Sequence, residues 1–521
     1  MVAVPLAPPG RVIGRACAAI ALAAVAFSAL VSIRWGAFAI GGSDSHCYAG
    51  QARMFLEGRA SLAPPLAPPV PWPNAAATFA PSGFAQGPDP AGGSVPLCAA
   101  GLAVAMAGAS AIAGDAAVFA VVPLLGMLAV WSTWLLGRRL LGPVTGAASA
   151  VLVACSPIFL YQVVQPMSDV PAAALWTAAL ATAIGPPEGK RPSLGRGLTA
   201  GLFAGAAIML RPNLAPLALV PVVLLWPSWR AAVAAAAGTF PGIVAVALLQ
   251  SAIYGSPVRS GYGDLGQLFS LGYVRTNLAN YPAWLAYAHT PVLAIGLVAP
   301  FVARRRAVAW MLAAFVLGVL AAYLPYVPFS DWWYTRFMLP GLPALIVLMV
   351  IVLERAAALL PRRAAVAAVC VAAFVLAGYW LHRAEAVSVF RLKALEQKYV
   401  ELGKLATRLP PNALVIAAQP TGSVRYYARK PTLSWDAIEP EWLDRVIAEC
   451  RARGLSPYLA LESWEMEAFK SRFRARSAAA DLDWPPRATL GSVIYVYDLA
   501  DRDRYLAGER IATEHIMWNR R

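Results

Sequence analysis

A run at 12–33 whose only charge is Arg15 is followed by one apolar stretch after another of similar length, and that succession constrains the fold more than any motif does. At ~1.5 Å rise per residue, about 20 apolar residues cross the hydrocarbon of a bilayer. Lipid offers nothing to an unpaired backbone amide, so a chain that repeats such stretches is expected to be a bundle of membrane helices. Hydrophobic residues make up 59% of the chain and charged ones only 13%, which is outside the soluble globular range. The net charge of +16 would suggest nucleic acid in a soluble protein. Here the basic residues stand in short clusters between the apolar runs, as orientation signals do, and no nucleic-acid partner is expected. The first run lacks a small-residue cleavage site and reads as a retained helix.

Arg11 and Arg15 place the amino terminus on the cytoplasmic side. The segment 95–113 is long enough to cross but rich in Gly and Ala, and charge decides its reading. If it crosses, every later basic cluster changes side; if it is a re-entrant or surface helix, Arg138 and Arg139 fall inside with the rest. The second reading gives spans at about 12–33, 116–137, 143–163, 170–186, 197–211, 213–227, 230–252, 283–303, 307–327, 338–354 and 364–381, eleven crossings in all. The inner loops then take fourteen of the twenty-one Lys and Arg before position 382, among them Lys190 and Arg305. Acidic residues go the other way. Asp44, Glu57, Asp89, Asp115, Asp169, Asp264 and Asp331 fall outside, and only Glu188 and Glu354 inside. Acids contribute little to orientation, so seven on one face call for another cause, which an outward-facing active site supplies.

The expected fold class is an α-helical polytopic membrane protein with a transmembrane domain over 1–382, including a first outer loop at 34–115, and an extracytoplasmic α/β domain over 383–521. In that tail, 390–408, 439–454 and 463–475 read as helices, and 413–417, 457–461 and 492–497 as strands. The expected location is the inner (plasma) membrane. Of the six cysteines, three lie inside apolar runs, and Cys47 with Cys98 is the one pair for which a disulfide is open.

Four outer loops each bring charge to the same face. Ser43-Asp44-Ser45-His46-Cys47-Tyr48 opens a helix-compatible piece that reaches Arg53 and Glu57, with Asp44 a candidate either for a base or for a helix N-cap. Gln165-Pro166-Met167-Ser168-Asp169, Arg211-Pro212-Asn213 and Ser330-Asp331-Trp332-Trp333-Tyr334-Thr335-Arg336 supply the rest. Each has a plainer reading, as a solvated loop residue, a cap, a snorkelling arginine or an aromatic belt.

The first-loop acid followed by Tyr48, Ala52, Arg53, Leu56 and Gly58 resembles the signature of the GT-C glycosyltransferases that use lipid-phosphate sugars, the branch of the protein mannosyltransferases and aminoarabinose transferases (glycosyltransferase family 39-like). Ser156-Pro157, Met167-Ser168-Asp169, Arg211-Pro212 and Tyr334-Thr335-Arg336-Phe337-Met338-Leu339-Pro340-Gly341 are similar to later landmarks of that family. Where the family commonly has Asp-Glu, this chain has Asp44-Ser45.

The resemblance implies inverting transfer from a polyprenyl-phosphate sugar to an extracytoplasmic lipid, glycan or protein acceptor. Asp44 would be the base, Arg53, Arg211 and Arg336 the donor-phosphate holders, and His46, Tyr48, Asp169, Asp331 and Tyr334 substrate contacts. No metal ligand is assigned, no cofactor is certain, and a divalent metal stays open. The chain has no P-loop or Gly-rich nucleotide fingerprint, so a nucleotide sugar is not indicated. A transporter or lipid flippase is the alternative from another class, and a membrane scaffold for the tail is a third. Against the transporter, few charges fall mid-span and no internal repeat is visible.

Overall fold

The computed structural model describes residues 11–89, 93–185, 191–263 and 265–518. Glu188, Lys190 and Asp264, counted in the charge argument, lie outside them.

Helix α1 (Arg11–Trp35) leads to an outer segment holding α2 (Ser43–Leu56), the short α3 (Ala75–Phe79) and α4 (Ala100–Ala113). A two-stranded antiparallel hairpin, β1 (Phe84–Gln86) with β2 (Ser94–Pro96), precedes α4. At 14 residues, α4 is too short to span unaided, and it packs along α2. The bundle continues with α5 (Val121–Leu140), α6 (Pro143–Ala154), α7 (Pro157–Val163), α8 (Asp169–Ile184), α9 (Leu194–Leu210), α10 (Leu219–Leu224) and α11 (Trp229–Tyr254). Helices Val274–Ala288, Arg306–Tyr323, Leu342–Ala357 and Arg362–Ala386 complete it.

All eleven expected segments are helical, but not all are straight or long. Five helices among the described residues are long and apolar enough to cross a membrane, or up to eight if each bent pair is one span. The bends are 60° at α6–α7, 111° between Leu271–Ala288 and Pro291–Val302, and 86° before Leu342–Ala357. Proline accounts for them: Pro157, Pro291 and Pro343 stand in the first turn after each break, where a missing N–H costs nothing but the preceding helix cannot continue. The expected span at 283–303 therefore straddles a corner, and its helix begins earlier, at Val274.

Charged residues gather at both ends of α8 and α9. Arg139 and Arg196 donate to carbonyls at the C-terminal end of α8, and Arg305 donates to Arg139 O, so these three gather at one end. Asp169 opens α8 and Arg211 follows α9, so the antiparallel run of the two helices brings them together at the other end.

Among the described residues the tail carries six strands: β3 (Ala413–Ala417), β4 (Thr432–Ser434), β5 (Ser456–Glu462), β6 (Ala488–Leu490), β7 (Ile494–Asp498) and β8 (Glu514–Ile516). Their order is β4-β3-β5-β7-β6-β8, parallel at β4-β3-β5 and at β6-β8 and antiparallel elsewhere. Helix Leu392–Arg408 links this sheet to the membrane region. A boundary at 383 does not isolate the module. Leu66, Trp72 and Phe79 of the outer segment are buried in one apolar core with Leu414, Ile416, Trp435 and Phe469, so loop and tail fold on one another.

Candidate active site

Asp44 is the second residue of α2, whose N-cap is Gly42, so the capping reading of Asp44 does not hold. Its carboxylate instead lies 2.8 Å from the Arg336 guanidinium. Arg336 comes from the 3-10 turn Trp332–Met338, which the 86° bend tips toward the outer end of the bundle. The Arg336 side chain is 14% exposed and that of Asp44 is 37% exposed, so the carboxylate keeps a wet side.

Four residues after Asp44, Tyr48 lies on the same face of α2 and its hydroxyl is 2.7 Å from Ser168 Oγ. Ser168 is the N-cap of α8, and the next residue, Asp169, forms a buried ion pair with Arg211. Asp169 is 1% exposed, which corrects its expected place as a substrate contact: its accessible role is to hold Arg211. Arg211 and Arg336 flank one aromatic ring, with their guanidinium carbons 5.4 and 5.2 Å from the centre of Phe337. Tyr323 stacks on the same ring at 4.9 Å.

A cavity of about 500 Å³ opens beside these groups. Tyr48 and Arg211 line it, together with Tyr254, Tyr262, Tyr323 and Tyr326, and its remaining wall is largely apolar, from Leu97, Met209, Val246, Leu249 and Ile253. Helices α9 and α11 shape one side by close backbone approach: a Cβ on Gly201 would stand 2.1 Å from Ala235 O. The tyrosines escaped sequence reasoning. At the ends of apolar helices they read as an interfacial belt, and only the packing of α11 along α9 and of Arg306–Tyr323 against the turn Pro212–Ala218 shows them turned inward.

Arg53 is not at this site. Nine residues from Asp44 at ~100° per residue is two and a half turns, which puts it on the opposite face of α2. There it donates to Tyr426 O at 2.6 Å and lies 4.0 Å over the Tyr426 ring. His46 shares that face. It is 2% exposed, its Nδ1 is 2.7 Å from Ser82 O, and Gly422 of the tail approaches so closely that a Cβ there would stand 2.5 Å from the ring. Burial, with Arg425 and Arg53 nearby, pulls the His46 imidazole down to about 4. Arg53 and His46 therefore meet the tail, on the face of α2 away from the Asp44–Arg336 pair beside which the sequence reading groups them. Asp331 accepts from Ser330 Oγ at 3.0 Å ahead of the Trp332–Met338 turn, and Tyr334 stacks on Phe329 at 3.8 Å with Arg336 5.3 Å from its ring.

A disulfide joins Cys47 of α2 to Cys98, just ahead of α4, and so fixes the helix that carries Asp44. No group of three His, Cys, Asp or Glu that could hold a metal occurs among the described residues, and the charged partner of Asp44 is a guanidinium.

Residues 100–254 match the dolichyl-phosphate-mannose-protein mannosyltransferase family. Among solved structures, ArnT from Cupriavidus metallidurans bound to undecaprenyl phosphate superposes with a TM-score of 0.57 at 13% identity, over 88% of this chain and 95% of that one. The chain has the GT-C fold. The GT-C likeness extends to the archaeal oligosaccharyltransferase AglB from Archaeoglobus fulgidus, in complex with an inhibitory peptide and a dolichol-phosphate, with a TM-score of 0.50 at 14% identity, over 89% of this chain and 72% of that one. No curated protein matches the chain by sequence. Within the GT-C framework, the Asp44–Arg336 pair joins the first outer helix to the turn between helices Arg306–Tyr323 and Leu342–Ala357.

Proposed function

We propose that this protein is a membrane glycosyltransferase that moves a sugar, with inversion, from a polyprenyl-phosphate donor to an acceptor hydroxyl on the extracytoplasmic side. The observation that carries the proposal is the meeting of Asp44 with Arg336 next to Arg211, which itself lines a cavity whose wall is largely apolar and aromatic. A phosphate leaving group needs fixed cations, an isoprenoid needs an apolar groove, and a sugar hydroxyl needs a base. The donor named in the ArnT structure and the family matched by 100–254 support a lipid-phosphate donor.

In the reaction, Arg211, held by Asp169, and Arg336 bind the donor phosphate. Arg336 then shares its donors between phosphate and Asp44, leaving a carboxylate oxygen free to accept the proton of the acceptor hydroxyl. That hydroxyl oxygen bonds to the anomeric carbon while the carbon–oxygen bond to the phosphate breaks, and the electron pair leaves on the phosphate.

The Cys47–Cys98 disulfide supports an extracytoplasmic placement of the outer segment, since such bonds persist in oxidising compartments. The inner membrane, a cytoplasmic amino terminus and eleven crossings complete the reading. Native mass spectrometry of the detergent-purified protein tests it. A polyprenyl-phosphate sugar is expected to remain bound to the parent and to be lost from Arg336→Ala; a parent that neither retains nor is stabilised by such a lipid contradicts the proposal.

A further inference from the structure

A second cavity, of about 330 Å³, opens on the face of α2 that points away from Asp44. Two separate parts of the chain build it: Arg53, Glu57 and Arg59 at the end of α2, and Arg425, Arg429 and Lys430 of the tail. That is five cations to one carboxylate, and Glu57 is already paired with Arg59.

Three of the other four cations rest on neutral oxygens. Arg425 donates to Thr432 Oγ1 at 2.8 Å, Thr432 O at 3.1 Å and Phe79 O at 2.8 Å. Arg53 donates to Tyr426 O and Lys430 to Pro410 O, each at 2.6 Å. Burial alone pushes the Arg425 guanidinium down to about 10, which marks a cation whose lost hydration no carboxylate replaces. Arg429 ends helix Thr421–Ala428 with φ +53°, a left-handed position usually given to glycine. A long cationic side chain is kept there at a cost in backbone strain. Cations gathered in this way repel one another, and an oxyanion placed among them removes that cost. Guanidinium forks match the paired oxygens of phosphate better than a point charge does.

We propose that this cleft binds a phosphate group at a point separate from the transfer centre and so docks an anionic acceptor. Nine residues of helix, ~13 Å along the axis, and half a turn divide it from Asp44. The acceptor role rests on the transfer reading above; the anion site does not.

The test is a calorimetric titration of the full chain, in nanodiscs of neutral lipid, with inorganic pyrophosphate. Arg336→Gln is carried throughout to weaken anion binding at the transfer centre. Pyrophosphate is expected to bind, and its affinity to fall roughly tenfold or more when Arg59→Gln and Arg429→Gln are added. Both side chains are exposed, so the melting temperature should stay that of the background. Nanodiscs doped with phosphatidic acid separate the two sources of phosphate. Competition with pyrophosphate assigns the cleft to a lipid headgroup, and its absence assigns it to a soluble phosphate group. Equal pyrophosphate binding with and without the two cleft substitutions, or tighter binding of glucuronate than of pyrophosphate, overturns the proposal. Either result leaves donor retention by the parent unaffected, so the two readings fail separately.

Discussion

The carboxylate of Asp44, in the first outer helix, lies 2.8 Å from the guanidinium of Arg336, in a turn beyond the helix Arg306–Tyr323. The pair closes the membrane region on itself at its outer end, where Arg211 and Arg336 share the ring of Phe337.

Donor affinity should depend on Arg211 and Arg336 and not on Arg53. A charge-assisted contact contributes about 1.5–3 kcal/mol, so Arg211→Ala and Arg336→Ala should each weaken donor binding roughly 10- to 100-fold. Asp169→Asn should follow Arg211→Ala, because the buried carboxylate is what holds that guanidinium. Arg53→Ala should bind donor like the parent. Titration of the purified variants with a lipid-phosphate sugar checks all four.

The Cys47–Cys98 disulfide spans 51 residues of the outer segment and ties α2 to the entrance of α4. Replacing both cysteines with alanine should cost about 2–4 kcal/mol of stability. The melting temperature should fall, and reductant should lower that of the parent but leave that of the double variant unchanged.

His46 makes docking of the tail pH-dependent. Its folded-state value, lowered to about 4, lies below the ordinary ~6.5, so the unfolded or undocked form takes up the proton first as pH falls. The contribution of His46 is whole above pH ~6.5 and is lost progressively between ~6.5 and ~4, by on the order of 1–3 kcal/mol. Proteolysis between the two modules should rise over that window in the parent, and His46→Gln should flatten the rise.

Much of this was legible in the chain itself. Sustained apolar runs mark the helices of the bundle except Val274–Ala288, whose first turns are polar, and strands Ala413–Ala417 and Ser456–Glu462 show as short β-branched or apolar runs. The loops carrying Asp44, Asp169, Arg211 and Arg336 stand out because charge at a membrane boundary is costly without a partner. Three features were hidden, each for a physical reason. Strands Thr432–Ser434, Ala488–Leu490 and Glu514–Ile516 are three residues long, too short for a period of two to register. The bends at Pro291 and Pro343 depend on how neighbouring helices pack, since proline ends one helix but does not set the angle of the next. The separation of Arg53 from Asp44 follows from helical phase once α2 begins at Ser43, but the cavity tyrosines need the tertiary fold to show which way they face.

The central claim is that Asp44 takes the acceptor proton, and the rate of sugar transfer by Asp44→Asn at saturating donor tests it most directly. Asparagine keeps the shape and a hydrogen bond toward Arg336 but lacks the basic oxygen, and a positioned base contributes ~10²- to 10⁴-fold. The variant should insert normally, bind donor within a few-fold of the parent and transfer at least ~10²-fold more slowly. Transfer near the parental rate by a folded, donor-binding Asp44→Asn would contradict the account.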